Sequence, residues 1–304
     1  MTNFFQSGEC LDFYGTLDFV KPFCVEVEKA RIVGYIQKDG GPLKRFLSRR
    51  AIVNGGPMLS DDITPEEIES LLNKCRKELK GKAIYVETRN FADYSRYREV
   101  FEKCGWKYEP HYNFQIDTSS VETMEQNLGK SRKRDIRTSL RDGAEMVEAQ
   151  SVDDVRQLYA ILLRLYKTKV KTPLFPLSFF ESLYNSSFGK FLLVRYEGKI
   201  IGGTVCALGE GIVYEWFACG EDGVYKNIYP STLATYSGMK YAAENGYKVF
   251  DMMGAGAPGD GGYGVRDFKA KFGGKMVEHG RFKLVLDKPL YALGTLAVKI
   301  LKKI

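Results

Sequence analysis

Histidine is almost missing from this chain: His111 and His279 are the only two in 304 residues. A His-rich zinc site, or a nucleophile served by a mobile imidazole base, has very little to draw on, which argues against metal-dependent hydrolysis. The six cysteines (Cys10, Cys24, Cys75, Cys104, Cys206 and Cys219) show no CxxC spacing. They are expected as reduced, buried thiols of a cytosolic protein rather than as a disulfide framework. No apolar run approaches the roughly 20 residues that a membrane span needs. The opening Met1-Thr2-Asn3-Phe4 lacks the basic segment and apolar run of a signal peptide, so a cytoplasmic location is expected.

Aromatic residues, by contrast, are plentiful: nineteen Tyr and nineteen Phe, enough to fill cores and to line clefts. The length allows two ordinary domains. The net charge of +7 suits an anionic partner such as phosphate, nucleic acid or an acidic membrane face.

Self-similarity organises the sequence. At one fixed offset, Ile32-Val33-Gly34 falls on Ile200-Ile201-Gly202, Thr64 on Thr232, and Lys80 on Lys248. Lys103-x-Gly105-x-Lys107-x-x-x-His111-x-x-Phe114 falls on Lys271-x-Gly273-x-Lys275-x-x-x-His279-x-x-Phe282. Collinear matches of this kind mark a duplicated domain. Residues 23–37 and 191–208 each predict two extended runs around a turn, followed by a third strand at 51–54 and 212–219. A helix starts at Thr64-Pro65 in one copy and at Pro230-Ser231 in the other, where hydroxyl caps and a first-turn proline are expected. Strands at 83–87 and 248–252 follow, and late strands at 112–117 and 281–286 are expected to close each its own copy. This order is α+β (mixed α/β) and resembles two tandem GNAT (acyl-CoA N-acyltransferase-like) domains. The expected division is 1–142, 143–288 with the active site, and 289–304 as a C-terminal amphipathic helix packing on the first copy. The Lys-x-Gly-x-Lys pattern itself predicts a helix-ending glycine between solvated lysines. The two histidines precede the last strand of each copy and are read as structural.

The strongest charge cluster is Lys130-Ser131-Arg132-Lys133-Arg134-Asp135-Ile136-Arg137-Thr138-Ser139-Leu140-Arg141. As a helix it places Lys130, Arg134, Arg137 and Arg141 on one face and Ile136 and Leu140 on another. Two readings stand side by side: a phosphate or RNA backbone docked by Lys130, Arg132, Lys133, Arg134 and Arg137, or a solvated helix linking the copies.

A run of six glycines follows the strand at 248–252: Gly254-Ala-Gly256-Ala-Pro-Gly259-Asp-Gly261-Gly262-Tyr263-Gly264. Its literal GxGxxG does not open a helix, since Pro258 and the further glycines keep the chain irregular, and a dinucleotide site is set aside. A loop that lets a substrate approach the backbone fits better. It ends in Val265-Arg266-Asp267-Phe268-Lys269, where a lysine is placed to meet the negative charge of an acyl-transfer intermediate. The bland alternative is a surface lysine on a helix whose core side is Phe268 and Phe272.

Phe268-Lys269-x-x-Phe272-Gly273-Gly274 after a glycine loop resembles the FemA/FemB/FemX family. So do the basic segment, Phe5-Gln6-Ser7, Arg195-Tyr-Glu-Gly-Lys-Ile-Ile-Gly-Gly203 and the stretch 225–230. The resemblance spans nearly the whole chain. It implies a non-ribosomal peptidyltransferase of tandem GNAT-like fold, without a cofactor. Such an enzyme moves an amino acid from aminoacyl-tRNA to a side-chain amine of a peptidoglycan precursor, lipid-linked or UDP-linked. On this sequence it implies Phe268 and Lys269 as catalytic. Tyr214, Glu215, Trp216, Phe217, Tyr225, Asp251, Gly254, Gly256, Tyr263 and Arg266 are expected to shape the substrate cleft. Asp251 and Glu215 are the candidate bases. The basic segment would hold tRNA or precursor phosphates. The chain departs from the family pattern where an arginine precedes a proline, here Phe175-Pro176, and where a tyrosine is replaced by Phe217, which bears on the acceptor. Leu290, Leu293, Ala297, Ile300, Leu301 and Ile304 recur at helical spacing beside terminal lysines, so peripheral contact with the inner face of the membrane is weighed as well. Two rival readings remain. One is an acyl-CoA-dependent N-acyltransferase, which would want a glycine-rich pyrophosphate loop where Tyr225-Lys-Asn-Ile-Tyr-Pro230 stands. The other is a non-catalytic module binding tRNA or anionic lipid.

Overall fold

The computed structural model describes residues 3–37, 48–170, 173–260 and 264–301. Its first strands are β1 (Val20–Val27), β2 (Ala30–Gln37), β3 (Arg50–Gly55), β4 (Met58–Leu59), β5 (Tyr85–Asn90) and β6 (Lys107–Glu109). Then come β7 (Tyr112–Asp117), β8 (Glu145–Glu148), β9 (Gly189–Tyr196) and β10 (Lys199–Leu208). The last four are β11 (Ile212–Gly220), β12 (Val249–Gly254), β13 (Lys275–Glu278) and β14 (Arg281–Val285). The chain divides into two compact units, one made of Met1–His111 with Glu278–Ile304, the other of Tyr112–Val277.

The first unit is a sheet in the order β1-β2-β3-β5-β14-β6, with β4 added on β2. β1 and β2 form the expected hairpin, turning at Glu28-Lys29 between Val27 and Ala30. The helix Pro65–Leu79 starts as its sequence dictates, with Thr64 and Glu67 closing a capping box and Pro65 in the first turn. It buries Ile68, Leu71, Leu72, Cys75 and Leu79 against the sheet, each large aliphatic contributing roughly 1.5–3 kcal/mol. β2 and β3 stop pairing at Tyr35 and Ile52. Gln6 fills the opening: its amide donates to the carbonyls of Val33 (3.0 Å) and Asn54 (2.9 Å) and accepts from the Val33 N–H. Buried and satisfied, it seals the sheet. The helix Lys288–Leu301 belongs to this unit and sets Tyr291 edge-on to Tyr85, while Leu293 and Leu296 stay exposed.

The second unit repeats the plan in the order β13-β7-β12-β11-β10-β9-β8. The β9–β10 hairpin turns through Glu197 and Gly198, both with positive φ, the signature of a type I′ turn. The helix Pro230–Glu244 lies on β10 and β11, with Gly238 so close to Phe250 that a Cβ there would come within 2.7 Å of the ring. Gly105 and Gly273, equivalent in the repeat, both adopt left-handed φ near +80° just after a helix, as the Lys-x-Gly-x-Lys pattern predicts.

One expectation is overturned. The late strands do not close their own copies: β7 pairs with β12 in the second sheet, and β14 pairs with β5 and β6 in the first. The units therefore divide at 111/112 and 277/278, not at 142/143 and 288/289. For the same reason the helix Lys130–Arg141 is an integral part of the second unit rather than a linker.

Candidate active site

The second sheet opens at its centre. β11 and β12 run parallel and stay in register only from Ile212↔Val249 to Tyr214↔Asp251. Past that level both strands carry an extra residue. Val205 faces Phe217 and Cys206 faces Glu215, which leaves Trp216 as a bulge in β11. In β12, Asp251 faces Gln115 and Gly254 faces Asn113, and Met253 takes a φ of +54°. A non-glycine residue held in that region costs on the order of 1 kcal/mol and tends to mark functional sites. The parted strands expose their C-terminal ends, where open α/β sheets collect ligands.

Lys269, from the helix Gly264–Ala270, reaches into this opening. Its Nζ donates to the carbonyls of Met252, Gly254 (3.0 Å) and Met253 (3.5 Å). The ammonium is enclosed, and burial lowers its pKa against the pull of Glu215 and Asp251. Asp251 is fully buried and its carboxyl is pushed up to about 6 by that burial. Gln115 (3.1 Å), the Met253 N–H (2.7 Å), Lys269 and Asn113 (3.4 Å) limit the rise. Glu215 is also raised by burial, with Lys269 opposing, and accepts from Thr204. One ammonium and two carboxyls thus share a dry site in which every charge is destabilised by desolvation. Sequence reading found Lys269, Glu215 and Asp251. It missed Gln115, Asn113 and Thr204, although Gln115 is the repeat equivalent of Lys283 and the mismatch is visible there.

The other expected residues are placed unevenly. Tyr214 is buried beside Asp251, which together with burial raises its phenol. Trp216 and Phe217 stack on each other and join Phe175, Phe179 and Phe180 in an aromatic cluster. Tyr225 packs edge-on against Tyr196. Gly254 lends its carbonyl to Lys269, and Gly256 accepts from the Tyr112 N–H. Arg266, expected to bind substrate, clamps the loop instead: it donates to the carbonyls of Ala255 (3.1 Å) and Ala257 and stacks on Tyr112. Phe268 packs on Phe272 and into the core rim. Tyr263 lies outside the described residues.

Along the helix Lys130–Arg141, the side chains of Lys130, Arg134, Arg137 and Arg141 are exposed, as their spacing requires, and Ile136 is buried. Leu140 is exposed, contrary to expectation. Lys133 is half-buried and donates to the Gln126 carbonyl. Arg134 pairs with Asp135 at 3.0 Å. Arg132 is a correction: only 8% exposed, it is committed to protein contacts and is no surface anion ligand. The N-terminus of the helix Pro230–Glu244 is already occupied, since Asp222 accepts from the Ser231 N–H at 3.0 Å.

Residues 130–269 match the family model of the Acetyltransferase (GNAT) domain. That stretch lies within the second unit, which has the GNAT acyltransferase fold. No curated protein matches the chain by sequence. Among solved structures, FemX superposes with a TM-score of 0.71 at 13% identity, covering 96% of this chain and 94% of FemX. The C-terminal domain of a protein named as a lysylphosphatidylglycerol synthetase from Agrobacterium fabrum gives 0.61 at 15% identity, over 97% and 92% of the two chains. A tandem GNAT protein from the clavulanic acid biosynthesis pathway gives 0.51 at 10%, over 92% and 94%. The tandem GNAT fold is therefore that of the whole chain, and it is the fold of FemX. The GNAT unit carries the parted strands and Lys269; among the described residues, no helix is long and apolar enough to cross a membrane.

Proposed function

We propose that this acyltransferase is a FemX-like aminoacyltransferase that forms an amide between an aminoacyl-tRNA donor and an amine of a peptidoglycan precursor. The observation that carries this reading is the enclosed ammonium of Lys269 at the parted ends of β11 and β12, flanked by Glu215 and Asp251. The acceptor amine attacks the donor ester carbon, a C–N bond forms, and the ester C–O bond breaks. The proton lost by the amine ends on the departing ribose oxygen. The intermediate's oxyanion takes the place of the longest of the three carbonyl contacts of Lys269, that of Met253 at 3.5 Å. One such stabilising group contributes about 3–4 kcal/mol in a water-poor site.

An acyl-CoA donor is disfavoured by Asp222. A pyrophosphate would need the helix N-terminus that this carboxylate already holds, and two anions there repel. The exposed row Lys130, Arg134, Arg137 and Arg141 supports a polyanionic substrate, as the tRNA would be. The test is incubation with a mixed charged-tRNA pool and lipid-linked and UDP-linked precursors, with products read by mass. Transfer by the native protein, reduced at least about 100-fold in Lys269→Met, is expected. Transfer that is unchanged in Lys269→Met, or a requirement for coenzyme A, overturns the assignment.

A further inference from the structure

The most heavily contacted cation of the basic helix is the one that is not exposed. The Arg132 guanidinium lies over two aromatic rings, 4.4 Å from the centre of Phe268 and 4.9 Å from that of Phe272. Its Nη1 donates to Thr232 Oγ1 (3.1 Å) and Asp135 (3.4 Å), and its Nη2 to the Phe268 carbonyl (3.5 Å). One residue further along, Lys269 enters the acyl-transfer opening. Backbone joins the same two segments: the Gly129 N–H donates to the Lys271 carbonyl at 3.0 Å, and a Cβ on Gly129 would meet that oxygen at 2.8 Å.

We propose that Arg132 is the positioning residue for Lys269, fixing the short helix Gly264–Ala270 to the basic helix so that the ammonium stays aimed at the parted strands. This deepens the aminoacyltransferase reading and rests on it for the role of Lys269. A seven-residue helix behind a glycine loop has little stability of its own. The carbonyls that Lys269 reaches lie on β12, so the direction of its side chain depends on where that helix is pinned. The pin combines two cation–π contacts with a planar fork, a set that lysine cannot reproduce in full. The helix that supplies it also presents Lys130, Arg134 and Arg137 outward. A polyanion bound on that outer face would steady the segment that holds Lys269 from beneath.

The experiment reads Lys269 directly and needs no substrate. Trace labelling with acetic anhydride across a pH series, with mass spectrometry of each lysine, compares native protein, Arg132→Met and Arg132→Lys. In Arg132→Met, labelling of Lys269 is expected to rise roughly tenfold and its titration to move toward that of a solvated lysine. The half-buried Lys190 and Lys283 should keep their native profiles. Arg132→Lys, which keeps the charge, should fall between the two. Unchanged Lys269 labelling in a folded Arg132→Met protein overturns the proposal. So does a rise shared equally by Lys190 and Lys283, which would report general loosening. If Arg132→Met does not fold, Arg132→Lys alone decides: native Lys269 labelling there refutes the requirement for the fork. Native protein that labels as proposed yet transfers nothing would remove the aminoacyltransferase reading and leave the positioning of Lys269 standing.

Discussion

β3 and β5 of the first unit stay paired from Arg50↔Tyr85 to Gly55↔Asn90, whereas β11 and β12, in the same place in the second sheet, part after Tyr214↔Asp251. At the third step of each parallel pair stands an acid, Glu87 opposite Ile52 and Asp251 opposite Tyr214. Its neighbour on the other side is Lys283 in the first sheet and Gln115 in the second. Burial works to raise Glu87, but Arg281, Arg89 and Lys283 outweigh it and hold the carboxyl below the ordinary carboxylate range. Asp251, fully buried, with the amides of Gln115 and Asn113 and the single cation Lys269 around it, is pushed up to about 6 by that burial. The duplicated frame thus yields a sealed ion-pair cluster in one copy and a chemically poised opening in the other. Arg281 and Arg89 supply the larger part of the electrostatic contrast, and the cross-strand lysine, a glutamine in the second sheet, adds to it.

Three substitutions probe that contrast. The largest effect is expected from Glu87→Gln, which leaves Arg281, Arg89 and Lys283 facing a neutral amide. A loss of about 3–5 kcal/mol in urea unfolding is expected, and a native midpoint would mean the cluster stabilises nothing. Next comes Asp251→Asn. Because folding raises this carboxyl from 3.8 to about 6, the folded state holds a proton that the unfolded chain has lost between those values. Asp251 therefore makes stability fall as pH rises through that window, by about 3 kcal/mol in all. Asparagine should abolish that slope; a slope identical to native would show that Asp251 is not the titrating group. The smallest change is expected from Gln115→Lys, which copies the first sheet into the second. It should draw the Asp251 titration down by about one pH unit, seen in the acid limb of the pH–rate profile or by carboxyl NMR. An unmoved titration would break the parallel with Lys283.

Much of the fold was legible. β-branched runs, turn residues and the Thr64-Pro65 start predicted the hairpins and the helices, and the repeat offset predicted two similar units. The exchange of β7 and β14 was not legible, because a strand sequence encodes which face is apolar but not which distant edge it joins. The strands at 112–117 and 281–285 are repeat equivalents, and either pattern suits either sheet. In the site, the glycine loop and the strand ends pointed to Lys269, Glu215 and Asp251. The bulges at Trp216 and Met253 had no glycine or asparagine to announce them. Arg132 was read with its neighbours as surface charge, yet a helix places position 132 away from 130, 134, 137 and 141.

The exchanged strands also set a timetable for synthesis. Thr88 on β5 waits for Phe282 on β14, 194 residues later in the chain. At translation rates of 5–20 residues per second that interval is about 10–40 s. Throughout it β5 carries a bare edge at the ribosome, able to template unwanted β pairing, while the uninterrupted stretch 112–277 can already have matured. Chaperone demand during biosynthesis should therefore fall on the half without the reactive centre.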